Sequence, residues 1–482
     1  MKHNVQKKEH LKYFIYIIFS LALILRLIYL FKPNVLWWDE TIYIGMAKFI
    51  FSNGALGFWE NFRPFLLPFV LGFGWFLGFP IVLFGKFFQL ICSMTIIYLT
   101  YYLGEKMYKN AGIIAATIVA FLPVFFTFGN LSLTNIPATA LTLIALYFLY
   151  HKKYYWCGFF IALALLTRFL FALIAVTIGI SILLPYIKTF KNNLKEIFVK
   201  SFLTLIGFFT LIIPFFISNK LLYQDWLYPI KEGSRVFNDY NNWLYDLGNI
   251  HYIQQIFVQN SLLVFAILGI VAYFILKKWK EPLWNAVLFS FIFMGGYLFH
   301  VIHKEVRFMI PVFILMALYA GVGLAWLIYS ANKKLNLSEK AISTFLIVIL
   351  TISMLTGYVT ISTNFSQSKL QPNQEIFFNY FENATQKDSL FISSTPMFVV
   401  YTNKPMELLG NWDIGMEVYR RHGEEASHIA IDECDKPCEP NSECEVQKKT
   451  YLDLMNAQNT LIFNQTYSRW DGQNCSIYIW SK

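Results

Sequence analysis

The chain has 482 residues, of which 57% are hydrophobic and 19% aromatic, while only 14% are charged. Soluble globular proteins rarely reach this composition, so we expect a polytopic membrane protein. The net charge of +10 comes from short lysine clusters between apolar runs rather than from one basic face. This distribution excludes nucleic acid as a partner.

The first apolar run covers residues 11–31 and follows a basic start with Lys2, Lys7 and Lys8. It is about 20 residues long, enough to cross a bilayer, and the basic flank predicts a cytoplasmic N-terminus. A cleaved secretory signal has a similar start, but this run is long for one and no small-residue cleavage site follows it. We therefore expect an uncleaved first span.

The motif Trp37-Trp38-Asp39-Glu40 follows this span and places two adjacent carboxylates beside paired indoles. Ionised side chains are costly to hold at a membrane edge, which indicates that their charge is used. The alternative is an interfacial aromatic belt with a solvated acidic loop. Residues 41–51 and 65–80 are then expected to form interfacial or re-entrant helices instead of spans.

The lysine clusters determine the predicted topology. If residues 82–103 form the second span, every later lysine cluster up to residues 333–334 falls on the cytoplasmic side. The later spans are placed at 111–128, 136–150, 154–169, 170–187, 201–218, 256–276, 283–302, 306–328 and 341–360. The predicted fold class is a polytopic α-helical membrane protein with about eleven spans, an internal N-terminus and an external C-terminus. Residues 1–361 form its transmembrane domain.

Residues 362–482 change to a polar composition and predict a small extracytoplasmic α/β domain. Helix-like stretches cover 373–383 and 447–456, and strand-like stretches cover 389–393, 428–431, 460–463 and 476–480. Four glycosylation sequons fit an external placement: Asn364, Asn383, Asn464 and Asn474.

Four of the six cysteines lie in this tail: Cys434, Cys438, Cys444 and Cys475. A zinc site is one interpretation, but the spacing Cys-x3-Cys-x5-Cys is not a strong zinc pattern. Since the predicted side of the membrane is oxidising, two disulfides among these four are favoured, with the pairing open.

Three cationic features are predicted on the same side as Asp39. The strongest is the turn His303-Lys304-Glu305-Val306-Arg307-Phe308, whose lysine and arginine can donate to a phosphate. The alternative is an interfacial turn with internal salt bridges. Arg63, before Pro64, serves either phosphate binding or anchoring to headgroups. Arg168 is embedded in apolar sequence, where an arginine normally has a partner or lines a wet cavity.

Five motifs occur in an order that resembles the GT-C membrane glycosyltransferases. They are Trp38-Asp39-Glu40, Arg63-Pro64 with Leu66-Leu67-Pro68, Leu103-Gly104-Glu105-Lys106-Met107-Tyr108, Thr167-Arg168-Phe169 and His303-Lys304-Glu305-x-Arg307-Phe308. The resemblance covers nearly all of the membrane part. It is closest to prokaryotic relatives of protein O-mannosyltransferases and lipid A aminoarabinose transferases. The last motif is also similar to a turn of the mannosyltransferases that extend lipid-linked oligosaccharides and the GPI anchor.

This resemblance implies an inverting glycosyltransferase of the cell membrane with its active site on the extracytoplasmic face. The donor would be a polyprenyl- or dolichyl-phosphate sugar, such as a mannosyl carrier, and the acceptor a glycan, glycolipid or protein. By family position Asp39 is the catalytic base, and Glu40 orients it or the acceptor. The remaining candidates bind the lipid phosphate or the sugar: Arg63, Arg168, His303, Lys304, Glu305 and Arg307.

One position departs from the family pattern. Relatives often carry an acidic residue in the second external loop, where this chain has Asn135. The departure weakens a two-carboxylate or metal-bound mechanism, so no cofactor is required, although a divalent metal stays open. If a second acid is needed, Asp225, Glu232 or Asp239 can supply it.

Two other functions are alternatives. A flippase for lipid-linked sugars would also be polytopic, but it usually shows internal repeats and midplane charges, and no convincing repeat is found. An oligosaccharyltransferase is suggested by Trp37-Trp38-Asp39, yet in that family the similar motif belongs to the soluble C-terminal domain. Neither alternative explains the ordered set of motifs. The sequence does not indicate which sugar or acceptor is used, or the oligomeric state.

Overall fold

The computed structural model describes residues 9–32, 36–239, 247–335, 339–366, 390–410, 412–436, 438, 442–468 and 474–482. Its contacts divide the chain into two compact units. The first contains Met1–Phe31, Phe62–Pro64 and Lys86–Ser366, and the second contains Lys32–Asn61, Phe65–Gly85 and Gln367–Lys482. The second unit therefore combines most of the segment between the first two predicted spans with the polar tail.

The helices up to residue 366 are numbered in chain order. They are α1 (Glu9–Leu30), α2 (Trp38–Phe51), α3 (Leu66–Phe76), α4 (Ile81–Met107), α5 (Ala111–Ala120), α6 (Pro123–Phe128), α7 (Asn135–Tyr150), α8 (Tyr154–Thr167), α9 (Ala172–Leu183), α10 (Leu194–Tyr223), α11 (Tyr228–Asp239), α12 (Ile250–Gln259), α13 (Ala266–Ile275), α14 (Pro282–His300), α15 (Ile310–Leu335) and α16 (Glu339–Ser366). Short 3-10 turns join several of them, including Phe169–Phe171, Ser261–Phe265 and Val306–Met309.

The prediction of a polytopic helical membrane protein is confirmed. Among the described residues, seven helices are long and apolar enough to cross a membrane, or eight if the bent pair α12 and α13 is one span. Four shorter apolar helices, α3, α5, α7 and α8, add to these. Every predicted span falls on one or more of these apolar helices. The count of about eleven spans and the orientation stay predictions.

Two predicted spans are broken. The span predicted at 111–128 divides into α5 and α6 because Pro123 has no N–H to continue the helical hydrogen bonds. The span predicted at 256–276 bends by 110° after α12. There Asn260 is extended, and its side chain accepts a hydrogen bond from the Leu262 N–H, which starts the next turn.

The core of the first unit surrounds α15, whose apolar window is completely buried. Neighbouring helices approach closely where their contacts are glycines. A Cβ at Gly158 of α8 would lie 1.9 Å from the Thr204 carbonyl oxygen, and one at Gly207 of α10 would lie 1.9 Å from that of Tyr155. Small residues at such crossings let the backbones of membrane helices pack directly.

The tail of the second unit forms a five-stranded mixed sheet with helices. Its elements are β1 (Leu390–Ser393), α17 (Phe398–Tyr401), β2 (Met406–Leu408), α18 (Trp412–His422), β3 (Ala426–Asp432), α19 (Glu443–Gln458), β4 (Thr460–Ser468) and β5 (Asn474–Ser481). The strand order is β2-β1-β3-β5-β4. β1 pairs in parallel with β2 and β3, whereas β5 is antiparallel to β3 and β4.

The tail follows the predicted pattern in most of its described elements. The strand-like stretches correspond to β1, β3, β4 and β5, and the later helix-like stretch lies in α19. The predicted helix at 373–383 and the sequon at Asn383 lie outside the described residues. β2 and α18 were not predicted. β2 has three residues, which is too short for a recognisable alternation, and it is held by pairing with β1.

Candidate functional site

The turn between α14 and α15 contains a network of charged side chains that are partly or fully buried. The Glu305 carboxylate accepts hydrogen bonds from Arg307 Nε at 2.6 Å and from Arg307 Nη2 at 2.7 Å, a two-point contact. His303 Nε2 lies 3.0 Å from the same carboxylate. These are the internal salt bridges of the alternative interpretation. However, Arg307 is only 6% exposed, so the turn is not simply a solvated one.

The backbone of this turn is fixed by its neighbours. The Phe308 N–H donates to the Glu305 carbonyl at 3.0 Å, and the 3-10 turn Val306–Met309 leads directly into the buried helix α15. The Tyr252 hydroxyl, from α12, reaches the Glu305 carbonyl at 3.4 Å. The most buried helix of the unit therefore holds the charged turn in place.

Lys304 points into the protein and is 5% exposed. Its ammonium donates to the Val301 carbonyl at 2.7 Å, and the described residues supply this one hydrogen bond. An ammonium has three donor protons. Lys304 consequently keeps donor capacity for an anionic ligand.

Asn135 links two of the predicted arginines. Its Nδ2 donates to the Arg307 carbonyl at 2.7 Å, while its Oδ1 accepts from Arg168 Nη1 at 3.1 Å. The Thr134 hydroxyl accepts a second hydrogen bond from the same Arg168 nitrogen at 3.3 Å. An amide can donate and accept at once, which a carboxylate cannot. The asparagine that departs from the family pattern thus fits its position.

The Phe308 ring contacts three of these charged or polar side chains. The Cζ atoms of Arg168 and Arg307 lie 4.8 Å and 5.2 Å from its ring centroid, and the His303 ring stacks at 5.8 Å. We call the set Asn135, Arg168, His303, Lys304, Glu305 and Arg307 the cationic cluster. With two arginines, one lysine and one carboxylate, it carries a net positive charge and suits an anion such as phosphate.

Arg63, the remaining phosphate candidate, belongs to the same compact unit. Its Cζ lies 5.6 Å from the ring centroid of Phe62. A Cβ at Gly233 of α11 would lie 3.1 Å from the Phe62 carbonyl oxygen, so α11 packs beside this segment. Its role in phosphate binding stays a prediction.

The acidic motif lies at the start of α2, not in a loop. Asp39 and Glu40 occupy the first turn, where the helix dipole favours negative charge. The Glu40 carboxylate faces the Trp37 N–H at 3.5 Å and is 1% exposed. The alternative of a solvated acidic loop is therefore wrong for Glu40. Asp39, the predicted base, is partly exposed.

The helix that carries the acidic motif contacts the tail through a buried lysine. Lys48 is 2% exposed, and its ammonium donates to the carbonyls of Val399 and Thr402 at 2.5 Å and 3.0 Å and to Asn403 Oδ1 at 3.0 Å. Burial lowers the pKa of Lys48 to about 8. Lys48 was not among the predicted site residues, although a lone lysine in an apolar helix is a signal for a buried partner.

The four tail cysteines form two disulfides, Cys434–Cys475 and Cys438–Cys444. Cys475 lies in β5 and Cys444 in the first turn of α19. The bonds therefore tie the segment after β3 to two different elements.

The alternative acids of the long loop are engaged in surface ion pairs. Asp225 lies 2.6 Å from Lys231, and Glu232 lies 2.5 Å from Arg235. Hydrogen bonds from these cations lower the pKa of both carboxyls. A carboxylate with a lowered pKa is a weaker base, which disfavours both for proton abstraction. The side chain of Asp239 lies outside the described residues.

Comparisons with known proteins give one family match, over part of the chain. Residues 63–217 match the family model described as dolichyl-phosphate-mannose-protein mannosyltransferase. No curated protein sequence matches the chain.

Two crystal structures of ArnT from Cupriavidus metallidurans share the fold. The structure bound to undecaprenyl phosphate gives a TM-score of 0.61 at 11% identity and covers 97% of this chain and 98% of the other. The apo structure gives a TM-score of 0.53 with the same identity and coverage. The chain therefore has the fold of ArnT, which confirms the predicted resemblance in fold to the GT-C membrane glycosyltransferases. The likeness of the turn at residues 303–308 to that of other mannosyltransferases stays a prediction.

Proposed function

We propose that this protein is an inverting glycosyltransferase that moves a sugar, such as the hexose mannose, from a polyprenyl-phosphate carrier to an acceptor on the extracytoplasmic side. The cationic cluster is the observation that carries this proposal. It presents arginine and lysine side chains on a buried, preorganised turn, and the phosphate of a lipid carrier is an anion that such groups bind.

The cationic cluster would stabilise the leaving group. When the bond between the anomeric carbon and the carrier oxygen breaks, negative charge develops on the phosphate. Lys304 has donor capacity for it, while Glu305 and Asn135 hold Arg307 and Arg168 in fixed orientations. Groups already oriented in the free protein need little reorganisation during the reaction.

Asp39 would act as the base. In a single displacement the acceptor hydroxyl attacks the anomeric carbon from the face opposite the phosphate, which inverts the configuration there. A carboxylate must take the hydroxyl proton as the new bond forms. Asp39 is partly exposed at the start of α2, whereas Glu40 is buried and bonded to its own helix end. This contrast favours Asp39 as base and Glu40 as its support.

The fold likeness supports the carrier class. The related ArnT structure binds undecaprenyl phosphate, and the matched family model is named for a dolichyl-phosphate sugar donor. Both names contain a polyprenyl phosphate, so this carrier class is the proposed donor.

The direct test incubates the purified protein with several polyprenyl-phosphate sugars and with extracted envelope glycans, glycolipids and proteins. Mass spectrometry should show one acceptor gaining the mass of a sugar while free polyprenyl phosphate is released. A parallel assay follows labelled lipid-linked sugar across vesicle membranes. Transbilayer movement without sugar transfer would contradict the proposal and favour a flippase.

A further inference from the structure

The segment of the tail between the two disulfides touches the acidic motif. Lys436 of this segment is 6% exposed, and its ammonium lies 4.4 Å from the ring centroid of Trp38. Trp38 is the first residue of α2 and directly precedes Asp39. A cation over an indole face is an attractive contact that strengthens when it is shielded from water.

Lys436 is held from three directions. Cys434 and Cys438, two residues before and after it, are bonded to Cys475 and Cys444. The indole N–H of the buried Trp412 donates to the Lys436 carbonyl at 3.1 Å. The backbone at Lys436 is thus tied to β5, α19 and the core of the tail.

Burial removes water from the Lys436 ammonium, which costs free energy. Burial lowers the pKa of Lys436 to about 8, although the nearby carboxylates Asp435 and Glu60 act in the opposite direction. A long side chain would otherwise extend to water. Because burying an ammonium is costly, its position beside Trp38 indicates that the protein uses the contact between Lys436 and Trp38.

The rest of α2 and the loop after it are attached to the same tail. Lys48, near the end of α2, binds the carbonyls of Val399 and Thr402. The following loop pairs with the sheet edge, where the Gly57 N–H donates to the Lys404 carbonyl at 3.0 Å and the Met406 N–H donates to the Gly57 carbonyl at 3.1 Å. The helix is therefore held near both ends.

We infer that Lys436 is a positioning residue. The segment between the two disulfides holds its ammonium against the Trp38 ring. This contact fixes the start of α2, which carries Asp39 and Glu40. The inference rests on the proposed function. It also makes turnover depend on the disulfides, because reduction would release the segment. Lys436 acts through Trp38 and has no assigned contact with the substrates.

The test uses the full-length protein in nanodiscs with four variants. Lys436→Met removes the charge at similar length, Lys436→Arg keeps a cation, and Cys438→Ser with Cys444→Ser removes one disulfide. Lys449→Met is the matched control because Lys449 is an exposed lysine of α19. Hydrogen–deuterium exchange of peptides covering 38–51 is measured on each, together with kcat and the KM for the polyprenyl-phosphate sugar.

Lys436→Met and the double serine variant should increase exchange over 38–51 and lower kcat about tenfold while the KM for the donor changes less than about twofold. Lys436→Arg should restore both, and Lys449→Met should match the wild type. Unchanged exchange in Lys436→Met overturns the inference, and so does a raised KM with a normal kcat. If the wild type transfers no sugar from any donor, the proposed function fails, whereas the exchange result still decides whether Lys436 holds the helix.

Discussion

At the scale of single residues, the two acidic side chains of the motif differ in a way that adjacency in sequence does not show. Glu40 is buried and faces the backbone of its own helix start, while Asp39 keeps partial exposure. A base that receives a proton from a substrate needs access to it, and a supporting residue needs fixed partners. This difference in burial is consistent with the proposed roles, Asp39 as the base and Glu40 as its support.

Replacing Asp39 by asparagine should lower kcat by about two to four orders of magnitude, because the proton acceptor is lost. Donor binding should persist, since size and polarity are similar. Steady-state kinetics measure both quantities. Asp453→Asn, an exposed aspartate of α19, is the control. Normal turnover by Asp39→Asn would show that Asp39 is not the base.

Asn135→Asp should weaken donor binding although it changes a single atom. The Arg307 carbonyl would lose its donor, and the added negative charge would offset the neighbouring cations. The unsatisfied carbonyl costs about 1–3 kcal/mol of stability. Because the added charge repels an anionic donor, we expect the donor KM to rise about tenfold. The exposed Asn192→Asp is the matched control. An unchanged KM would show that Asn135 does not contribute to phosphate binding.

Arg307→Lys tests geometry apart from charge. A lysine keeps the positive charge but cannot make the two-point contact with Glu305 at 2.6 Å and 2.7 Å. We expect weaker donor binding, measured as a higher KM. If Arg307→Lys binds the donor like the wild type, charge alone suffices at this position.

At the scale of elements, the helix ends and breaks position the candidate residues. α2 begins at Trp38, so its first turn carries the carboxylates. α15 begins just after the cationic turn and is buried throughout its apolar window. The break after α12 leaves Tyr252 on the short helix that reaches the Glu305 carbonyl. Each of these candidate side chains thus lies at or near the end of an element and is held by a neighbouring helix.

Close helix packing gives a prediction that is independent of activity. Gly158→Ala should lower the melting temperature, because its Cβ would lie 1.9 Å from the Thr204 carbonyl oxygen and push α8 from α10. Overpacking of this kind costs about 1–3 kcal/mol. Gly179→Ala is the control, since nothing lies within 4 Å of a Cβ there. Thermal unfolding in detergent compares the two, and equal melting temperatures would contradict the packing.

At the scale of the whole molecule, the main prediction is the membrane topology, that is, the side of the membrane on which each loop lies. A glycosylation or cysteine-accessibility tag near Asn383 should report the external side, and one beside Lys152 should report the internal side, because lysine clusters prefer the cytoplasm. Labelling of both tags from one side would contradict the assignment of residues 65–103 and the placement of Asp39 outside.

Composition and apolar run length by themselves determined the class of this protein. A chain that is 57% hydrophobic with long apolar runs must satisfy its backbone in helices within a bilayer. Short-range patterns also identified most described elements of the tail and the residues of the acidic and cationic motifs. These features are local, so they can be recognised from neighbouring residues.

Only the tertiary structure decided how these residues are held. Lys48 and Val399, which are hydrogen-bonded, lie 351 positions apart, and Asn135 and Arg307 are separated by 172. Lys436 contacts Trp38 because the tail and the segment between the first two predicted spans belong to one compact unit. Such contacts depend on the path of the whole chain, and neither periodicity nor charge patterning contains that path.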